Sequence, residues 1–284
     1  MSRPKVTIHD IQKAKEEKRK LVMITAYDYP FGLMADEAEM DMVLVGDSLG
    51  MVVMGLQGTV AVTMENMVHH IQAVMRGCKT TLVVGDMPFM SYNTSIREAI
   101  TNAGRLLKEG GCDAVKLEGG AYFAPTVEAI VKAGIPVQGH IGLTPQTASA
   151  LGGFKMQGKD AAAAKQIIDD AKALEAAGAF SVVLEAVPAP LGKLVADSVK
   201  VPIIGIGAGA DVDGQVLVTH DMVGLFDRFV PKFVKQYTKI RPVILDALNE
   251  YKKDVRAVKF PAPEHSFKMP DETLKQLKKM VEKK

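Results

Sequence analysis

Short apolar runs recur along the chain, and most of them show no regular alternation with polar residues. Uninterrupted runs of this kind, rich in β-branched side chains, are typical of strands buried on both faces of a parallel sheet. We predict seven such strands and a candidate eighth. The predicted strands are Leu21–Ala26, Met42–Val45, Thr81–Gly85, Ala114–Leu117, Ile135–Gln138, Ser181–Leu184 and Val201–Ile206, with Gln215–Thr219 as the candidate eighth.

Helix-like segments separate these runs, so that strand and helix alternate through the chain. Ser95 and Glu98 form a Ser-x-x-Glu capping box, which predicts the start of one helix. Two other segments end before a glycine, a residue that often closes a helix. The clearest helical segments are Ser95–Glu109, Pro125–Ala133 and Asp160–Ala177.

This alternation predicts an α/β fold, and the number of strands favours a (β/α)₈ TIM barrel. Such a barrel takes about 250 residues, and no linker or change of composition is visible before Phe260. We therefore expect a single barrel domain at residues 1–260 and a C-terminal tail at 261–284. A doubly wound open sheet is the alternative. Further helices are predicted at 232–252 and in the tail, which is Pro-rich and then basic.

The composition narrows the range of partners. Lys and Arg number 35 and Asp and Glu 33, so the formal net charge is +2. This is too balanced for binding to nucleic acid or a membrane surface through charge, and we expect small-molecule substrates. Cys78 and Cys112 are the only cysteines; they are too few for a disulfide framework or a four-thiolate zinc site, and we expect both to be buried. The charged N-terminus and the absence of a long apolar run predict a cytoplasmic protein.

Polar side chains stand at or just after the ends of six successive predicted strands. The carboxyl ends of the strands of a parallel barrel open onto one face, so these side chains are expected to converge on one pocket. The residues are Tyr27, Asp28, Asp47, Ser48, Asp86, Lys116, Glu118, His140 and Glu185.

Three of these residues carry carboxylates on consecutive strands. Asp47, Asp86 and Glu118 would repel one another in one pocket unless a cation held them. The absence of a nearby cysteine or paired histidine argues against zinc and favours Mg²⁺, which accepts carboxylates and leaves positions to water or substrate. The alternative is that each carboxylate caps the helix that follows it.

Other strand-end residues suggest substrate binding and proton transfer. Lys116 and Glu118 are two residues apart on one strand, so their side chains point the same way. Lys116 would bind an anionic substrate group or form a structural salt bridge. Glu185 lies in an apolar run, where desolvation would suit it to act as a general base. The alternative is a buried, hydrogen-bonded structural glutamate.

Two further features carry weaker signals. A lone histidine such as His140 is expected to be structural, and the glycines at 205–209 indicate phosphate binding only weakly.

Eight short motifs follow one another in a fixed order over nearly the whole chain. They are Thr25–Asp28 (TAYD), Val45–Met51 (VGDSLGM), Gly85–Met90 (GDMPFM), Lys116–Gly120 (KLEGG), Gly139–Gln146 (GHIGLTPQ), Leu184–Pro188 (LEAVP), Gly205–Gly209 (GIGAG) and Pro263–Phe267 (PEHSF). Together they resemble the ketopantoate hydroxymethyltransferase family, and eight linked motifs are far more specific than one. The chain departs from the family pattern at Lys268–Lys284, which extends past the usual ending.

The resemblance implies a barrel of the phosphoenolpyruvate/pyruvate superfamily type and an enzyme of pantothenate biosynthesis. Its reaction would transfer a hydroxymethyl group from 5,10-methylenetetrahydrofolate to 3-methyl-2-oxobutanoate through a Mg²⁺-stabilised enolate, giving 2-dehydropantoate. A homo-oligomer, commonly a decamer, is also implied.

The resemblance also assigns roles to individual residues. Asp47 and Asp86 match metal ligands, and Glu118 matches a third acidic residue at the metal that acts through water. Ser48 and Lys116 match substrate contacts, as do the two aspartates through the metal. Glu185 matches the group that accepts the C3 proton. No motif identifies the folate contacts.

Two other functions remain open from the sequence. A Mg²⁺-dependent carbon–carbon lyase or phosphomutase acting on a 2-oxo acid would share the carboxylates, but it usually needs a reactive cysteine or phosphate-binding groups in a mobile loop. A non-catalytic barrel that binds a 2-oxo acid or folate would be expected to have lost an acidic motif residue, and none is missing.

Overall fold

Eight parallel strands close into a barrel in the order of the chain. The structure is a computed structural model, and it describes residues 3–150 and 152–282. The strands are β1 Leu21–Thr25, β2 Met42–Val45, β3 Leu82–Asp86, β4 Ala114–Glu118, β5 Val137–Gly142, β6 Ser181–Glu185, β7 Ile203–Ile206 and β8 Gly214–Leu217. Because β8 pairs with β1, with Leu21 opposite Gly214, the sheet has no free edge. The predicted (β/α)₈ barrel is therefore confirmed, and the open sheet is excluded.

Helices alternate with the strands around the barrel. They are α1 Ile8–Glu16, α2 Tyr29–Glu37, α3 Leu49–Val52, α4 Met64–Gly77, α5 Ile96–Arg105, α6 Ala124–Lys132, α7 Ala161–Ala176, α8 Ala189–Ser198 and α9 Thr219–Met222. The predicted cap at Ser95 forms, since its side chain accepts the N–H of Glu98. The helix after it passes into a π-helical turn at Leu106–Gly110, so the predicted segment is continuous but not uniformly α-helical.

Side-chain alternation along the strands separates two cores. Inward-pointing side chains form one cluster inside the barrel, and outward-pointing ones pack beneath the helices. The inner cluster includes Leu21, Met23, Met42, Leu44, Leu82, Val84, Ala114, Val183, Ile204 and Val216. Lys15 of α1 donates to the carbonyl of Val201, just before β7. This helix therefore packs at the amino ends of the strands, and the carboxyl ends stay open.

The chain forms two compact units, Met1–Gln236 and Tyr237–Lys284. The second unit contains α10 Ile240–Arg256 and α11 Asp271–Val281. The division expected from the sequence, a barrel domain at 1–260 and a tail at 261–284, stays a prediction.

The predicted start of the helix at 232–252 was wrong by eight residues, since α10 begins at Ile240. Pro242 accounts for the difference: proline lacks an N–H and is tolerated only in the first turn of a helix. No helix in the described part of the chain is both long and apolar enough to cross a bilayer.

Candidate active site

A cavity of about 200 Å³ lies at the carboxyl end of the barrel. Polar side chains from most of the strand ends meet there, together with two from connecting segments. The polar residues that line it are Thr25, Asp47, Ser48, Thr59, Asp86, Lys116, Glu118, His140, Glu185 and Asp221. The convergence expected from the sequence therefore includes all the proposed metal, substrate and base residues.

The alternation of the strands explains this convergence. On β3, Leu82 and Val84 point into the barrel, and Asp86 is the next residue of the same parity. The same rule applies to β4, where Ala114 is followed at intervals of two by Lys116 and Glu118. Each strand therefore presents apolar side chains to the lower barrel and a polar one at its carboxyl end.

One half of the charged cluster joins two aspartates to a lysine. Lys116 Nζ lies 2.8 Å from Asp86 Oδ1, and both side chains are almost completely buried. Asp86 Oδ2 accepts the backbone N–H of Asp47 at 3.1 Å. The two aspartates are thus held side by side with one cation beside them.

The other half is a row of two glutamates with a histidine between them. His140 Nδ1 lies 3.3 Å from Glu118 Oε1, and His140 Nε2 lies 3.2 Å from Glu185 Oε2. His140 Nδ1 is also 3.4 Å from Lys116 Nζ, which links the two halves. The lone histidine that was expected to be structural therefore lies within the site. Asp47, Asp86, Lys116, Glu118, His140 and Glu185 are called the charged cluster below.

Burial and mutual charge set the ionisation of this cluster. Burial and the charges of Asp86 and Glu118 raise the pKa of Asp47 well above its ordinary value. Burial also raises the pKa of Asp86, although Lys116 opposes the shift. Burial disfavours the charged amine of Lys116, but the neighbouring carboxylates outweigh it and raise its pKa. Burial and Lys116 likewise oppose protonation of His140, yet its two glutamate partners raise its pKa to about 9.

Two residues that the sequence analysis did not assign hold this cluster in place. Gln146 Nε2 donates to Asp47 Oδ2 at 2.9 Å, and Gln146 N–H donates to Glu118 Oε2 at 3.0 Å. Tyr92 Oη donates to Gln146 Oε1 at 2.6 Å and accepts the N–H of Glu118 at 3.2 Å. Gln146 closes the GHIGLTPQ motif, so its position in that motif was the available signal.

The other strand-end residues divide into two groups. Ser48 lines the cavity, and its hydroxyl lies 2.8 Å from Tyr27 Oη. Asp28 does not reach the site, because it caps α2 by accepting the N–H of Phe31. The helix-cap alternative considered for the acidic residues therefore holds for this one.

The glycine motif and the cysteines do not join the charged cluster. Gly207 has a positive φ and packs against the ring of Phe233, so a side chain there would be strained and crowded. Cys78 and Cys112 are buried, as predicted, and burial raises the pKa of each thiol to about 12. Neither thiol is an available nucleophile.

The donor set suits a divalent cation held by two carboxylates. Within residues 3–150 and 152–282, no group of three or more His, Cys, Asp or Glu side chains is arranged to hold a metal ion. Glu118 explains why, since His140 and Gln146 already occupy its two oxygens. Asp47 and Asp86 remain, and burial together with the neighbouring carboxylates raises the pKa of both, so a cation held between them would stabilise their ionised forms. Mg²⁺ accepts one or two carboxylates and keeps water or substrate oxygens elsewhere, so these residues fit it.

Several solved enzyme structures share the fold of this chain. Phosphonopyruvate hydrolase matches with a TM-score of 0.60 at 11% identity, covering 97% of this chain and 96% of its own. A 2,3-dimethylmalate lyase, described as a PEP mutase/isocitrate lyase superfamily member, matches with a TM-score of 0.59 at 14% identity over 91% and 92% of the two chains. At these identities the likeness shows the (β/α)₈ barrel fold alone and nothing about the reaction.

Sequence relatives are far closer. The 3-methyl-2-oxobutanoate hydroxymethyltransferases of Heliobacterium modesticaldum and Moorella thermoacetica are each 58% identical, covering 94% of this chain and 97% and 99% of their own. That of Syntrophobacter fumaroxidans is 55% identical over 99% of both chains, so it shares nearly all of the Lys268–Lys284 extension. The profile of the family described as ketopantoate hydroxymethyltransferase matches residues 5–263, which include every member of the charged cluster. The chain therefore belongs to the ketopantoate hydroxymethyltransferase family.

Proposed function

We propose that this enzyme transfers a hydroxymethyl group from 5,10-methylenetetrahydrofolate to 3-methyl-2-oxobutanoate and releases 2-dehydropantoate. Family membership supports the reaction. The observation that carries the mechanism is the row of Glu185, His140 and Glu118 beside the buried pair of Asp47 and Asp86. A base and an anion-binding site thus share one cavity, as removal of a proton next to a keto acid requires.

Asp47 and Asp86 would hold Mg²⁺, and Glu118 would act on the ion through water because its oxygens are already engaged. When bound, the ion would supply Lewis-acid stabilisation of the negative charge that develops on the keto acid. The buried ammonium of Lys116, 2.8 Å from Asp86, would attract the substrate carboxylate and keep the aspartates ionised. Ser48 would offer a hydroxyl to the same substrate.

Glu185 is the proposed base. Its side chain is 14% exposed, whereas Glu118 is 2% exposed, so Glu185 is the glutamate of the row that remains open to the cavity. The C3–H bond breaks, the proton passes to Glu185, and the electron pair is left delocalised towards the keto oxygen. His140, whose pKa its two glutamate partners raise to about 9, lies 3.2 Å from the Glu185 carboxylate and orients it.

Carbon–carbon bond formation follows. C3 bonds to the methylene carbon of the folate as one of its two C–N bonds breaks and that nitrogen takes the electron pair. Water then replaces the second folate nitrogen at the same carbon and leaves its oxygen there as the new hydroxyl. The C3 proton and one proton of the water restore the two N–H groups of tetrahydrofolate, so one water molecule is consumed for each product. The folate is needed only after the C3 proton has gone, and the two stages can be measured separately.

Glu185→Gln tests the base directly. We expect the variant to lose C3 hydrogen–deuterium exchange of 3-methyl-2-oxobutanoate by about 10²- to 10⁴-fold, because an amide cannot accept the proton. Glu128→Gln, an exposed glutamate on α6 paired with Lys132, is the matched control and should exchange like the wild type. Exchange is followed by NMR in D₂O with Mg²⁺, and Mg²⁺ affinity should be retained. Near-normal exchange in Glu185→Gln would remove this residue from the role.

We further propose a cytoplasmic homo-oligomer, with ten subunits as the family resemblance implies. Exposed apolar side chains on α10, including Val243, Leu248 and Tyr251, support association of the second unit with another chain. Size-exclusion chromatography with light scattering measures the assembly. A mass near 31 kDa at micromolar concentration would contradict it, because one chain is 30.6 kDa.

A further inference from the structure

The mechanism above leaves one buried carboxylate of the cavity unused. Asp221 lies in α9, directly after β8; it lines the cavity and is 7% exposed. Its Oδ1 atom is buried without a hydrogen-bond partner among the described residues. The adjacent His220 stacks near the rings of Tyr27 and Phe31 instead.

A second polar atom of the same cavity is also unpaired. Thr59 lies in the enlarged connection between α3 and α4, far from Asp221 in sequence, and is 4% exposed. Its Oγ1 is buried without a partner among the described residues. Asp86 Oδ1 and His140 Nε2 of the same lining also lack a hydrogen bond, but each lies within 3.2 Å of an oppositely charged group. Buried polar groups are almost always paired, so Asp221 and Thr59 indicate that a ligand supplies their partners. Asp221 and Thr59 are called the unpaired pair below.

Apolar and aromatic side chains complete this part of the lining. Met51, Phe229 and Phe233 line the cavity, and the two phenylalanines are 65% and 37% exposed. Exposed rings at a cavity offer faces on which a flat ligand can stack. A buried carboxylate beside them can accept two parallel N–H groups from the edge of such a ligand.

The chemistry that satisfies all three features is a flat heterocycle with adjacent N–H donors and a further polar edge. Of the two proposed substrates, 3-methyl-2-oxobutanoate has no N–H donor and is itself an anion, so Asp221 would repel it. The pterin ring of the folate carries a 2-amino group next to a ring N–H. Its oxo group supplies the further polar edge.

We propose that Asp221 and Thr59 bind the pterin ring of the one-carbon donor, with the carboxylate accepting the 2-amino and ring N–H groups and the threonine hydroxyl bonding to another polar atom of the ring. This assignment rests on the proposed function and adds to it the folate contacts that no sequence motif identified. Burial raises the pKa of Asp221 to about 6, and N–H donors of a ligand would favour its ionised form. Both residues bind the donor and take no part in removal of the C3 proton.

Asp221→Asn separates this role from the first stage of the reaction. We expect the Kd for tetrahydrofolate, measured anaerobically by calorimetry, and the KM for methylenetetrahydrofolate to rise by about 10- to 100-fold, since a charged acceptor is lost. C3 exchange without folate should stay within about twofold of the wild type, because donor binding plays no part in it. Thr59→Val should show the same separation with a smaller rise.

A tetrahydropterin without the aminobenzoyl-glutamate tail locates the contact on the ring. It should inhibit the full reaction of the wild type competitively with the folate, and Asp221→Asn should weaken this inhibition by the same factor as it weakens tetrahydrofolate binding. Unchanged tetrahydrofolate binding in Asp221→Asn with intact exchange would overturn the inference and leave the proposed function standing. Loss of exchange in that variant would also overturn it, by assigning Asp221 to the fold or the keto acid. Absence of both exchange and product in the wild type would instead overturn the proposed function.

Discussion

The cavity contains two groups of polar residues that differ in how well they are satisfied. In the charged cluster each of the four carboxylates has a partner. Asp86 has Lys116, Glu118 and Glu185 have His140, and Asp47 has the amide of Gln146. The unpaired pair, in contrast, has none among the described residues. Both groups are buried, so access to water does not explain the difference.

The difference indicates which groups are organised before substrate binds. A network that is already hydrogen-bonded holds its charges at fixed positions and needs little rearrangement during the reaction. A buried group without a partner destabilises the folded protein, and such a cost is typical of a site whose partner arrives with a ligand. The charged cluster therefore suits the chemical step, and the unpaired pair suits recognition of the second substrate.

Removing the cation of the charged cluster should convert it into an unsatisfied site. Lys116→Met leaves Asp86 and Asp47 buried without their ammonium partner. We expect the free energy of unfolding, measured by urea at pH 7.5 with EDTA, to fall by about 3 to 5 kcal/mol. Lys193→Met removes an exposed helix pair with Asp197 and should leave the urea midpoint unchanged. Equal stability of the two variants would contradict the account of the cluster.

Removing the charge of Asp221 should raise the free energy of unfolding, whereas removing that of Lys116 should lower it. The pKa of Asp221 in the folded protein, about 6, lies above its ordinary value of 3.8. Between these two pH values the folded protein therefore keeps a proton that the unfolded protein has lost. Ionisation therefore costs the folded protein stability above about pH 6 and nothing below about pH 4. Without folate, Asp221→Asn should be more stable than wild type by about 2 to 3 kcal/mol at pH 7.5.

The pH dependence of the stability gained in Asp221→Asn tests whether the carboxylate charge is its cause. Tyr27 and His220, the nearest other titratable groups, are present in both proteins, so their titration cancels in the difference. The gain should shrink as pH falls from 6 towards 4. A variant less stable than the wild type at pH 7.5 would show that Asp221 has a structural partner.

Gln146 tests how far a neutral residue contributes to the satisfied network. Gln146→Leu removes the side-chain donor to Asp47 and the acceptor for Tyr92, but it keeps the backbone N–H that reaches Glu118. We expect a loss of about 1 to 3 kcal/mol in the free energy of unfolding. Gln166→Leu, which removes only an exposed bond to Asp170, should change the unfolding curve little.

Much of this architecture follows from local patterns in the sequence. Uninterrupted apolar runs identified the strands, and the convergence of parallel strand ends brought Asp47, Asp86, Lys116, Glu118 and Glu185 to one pocket. Alternation along a strand is a local property, and for that reason it can be read without knowing the fold. Pro242 was an equally local signal, and neglecting it placed a helix too early.

The remaining site residues depend on contacts between distant parts of the chain. Tyr92 lies in the connection between β3 and α5 and Gln146 in a 3₁₀ turn at Pro145–Thr147, and neither segment is long enough for a periodicity to indicate which side chains turn inwards. His140 was expected to be structural because the sequence alone does not show that two glutamates flank its ring. Asp221 lies in α9, beyond the end of β8 at Leu217, and β8 was only a candidate strand, so the expectation for strand-end residues was not extended to it.

The most direct test of the central claim is proton exchange by the wild-type enzyme in D₂O, followed by NMR of 3-methyl-2-oxobutanoate. The account predicts that the C3 proton is lost with Mg²⁺ and without folate, that EDTA stops this loss, and that methylenetetrahydrofolate then gives 2-dehydropantoate. Exchange that requires folate would contradict the division of the cavity between the charged cluster and the unpaired pair. Folded protein that gives neither exchange nor product with any divalent metal would contradict the proposed reaction itself.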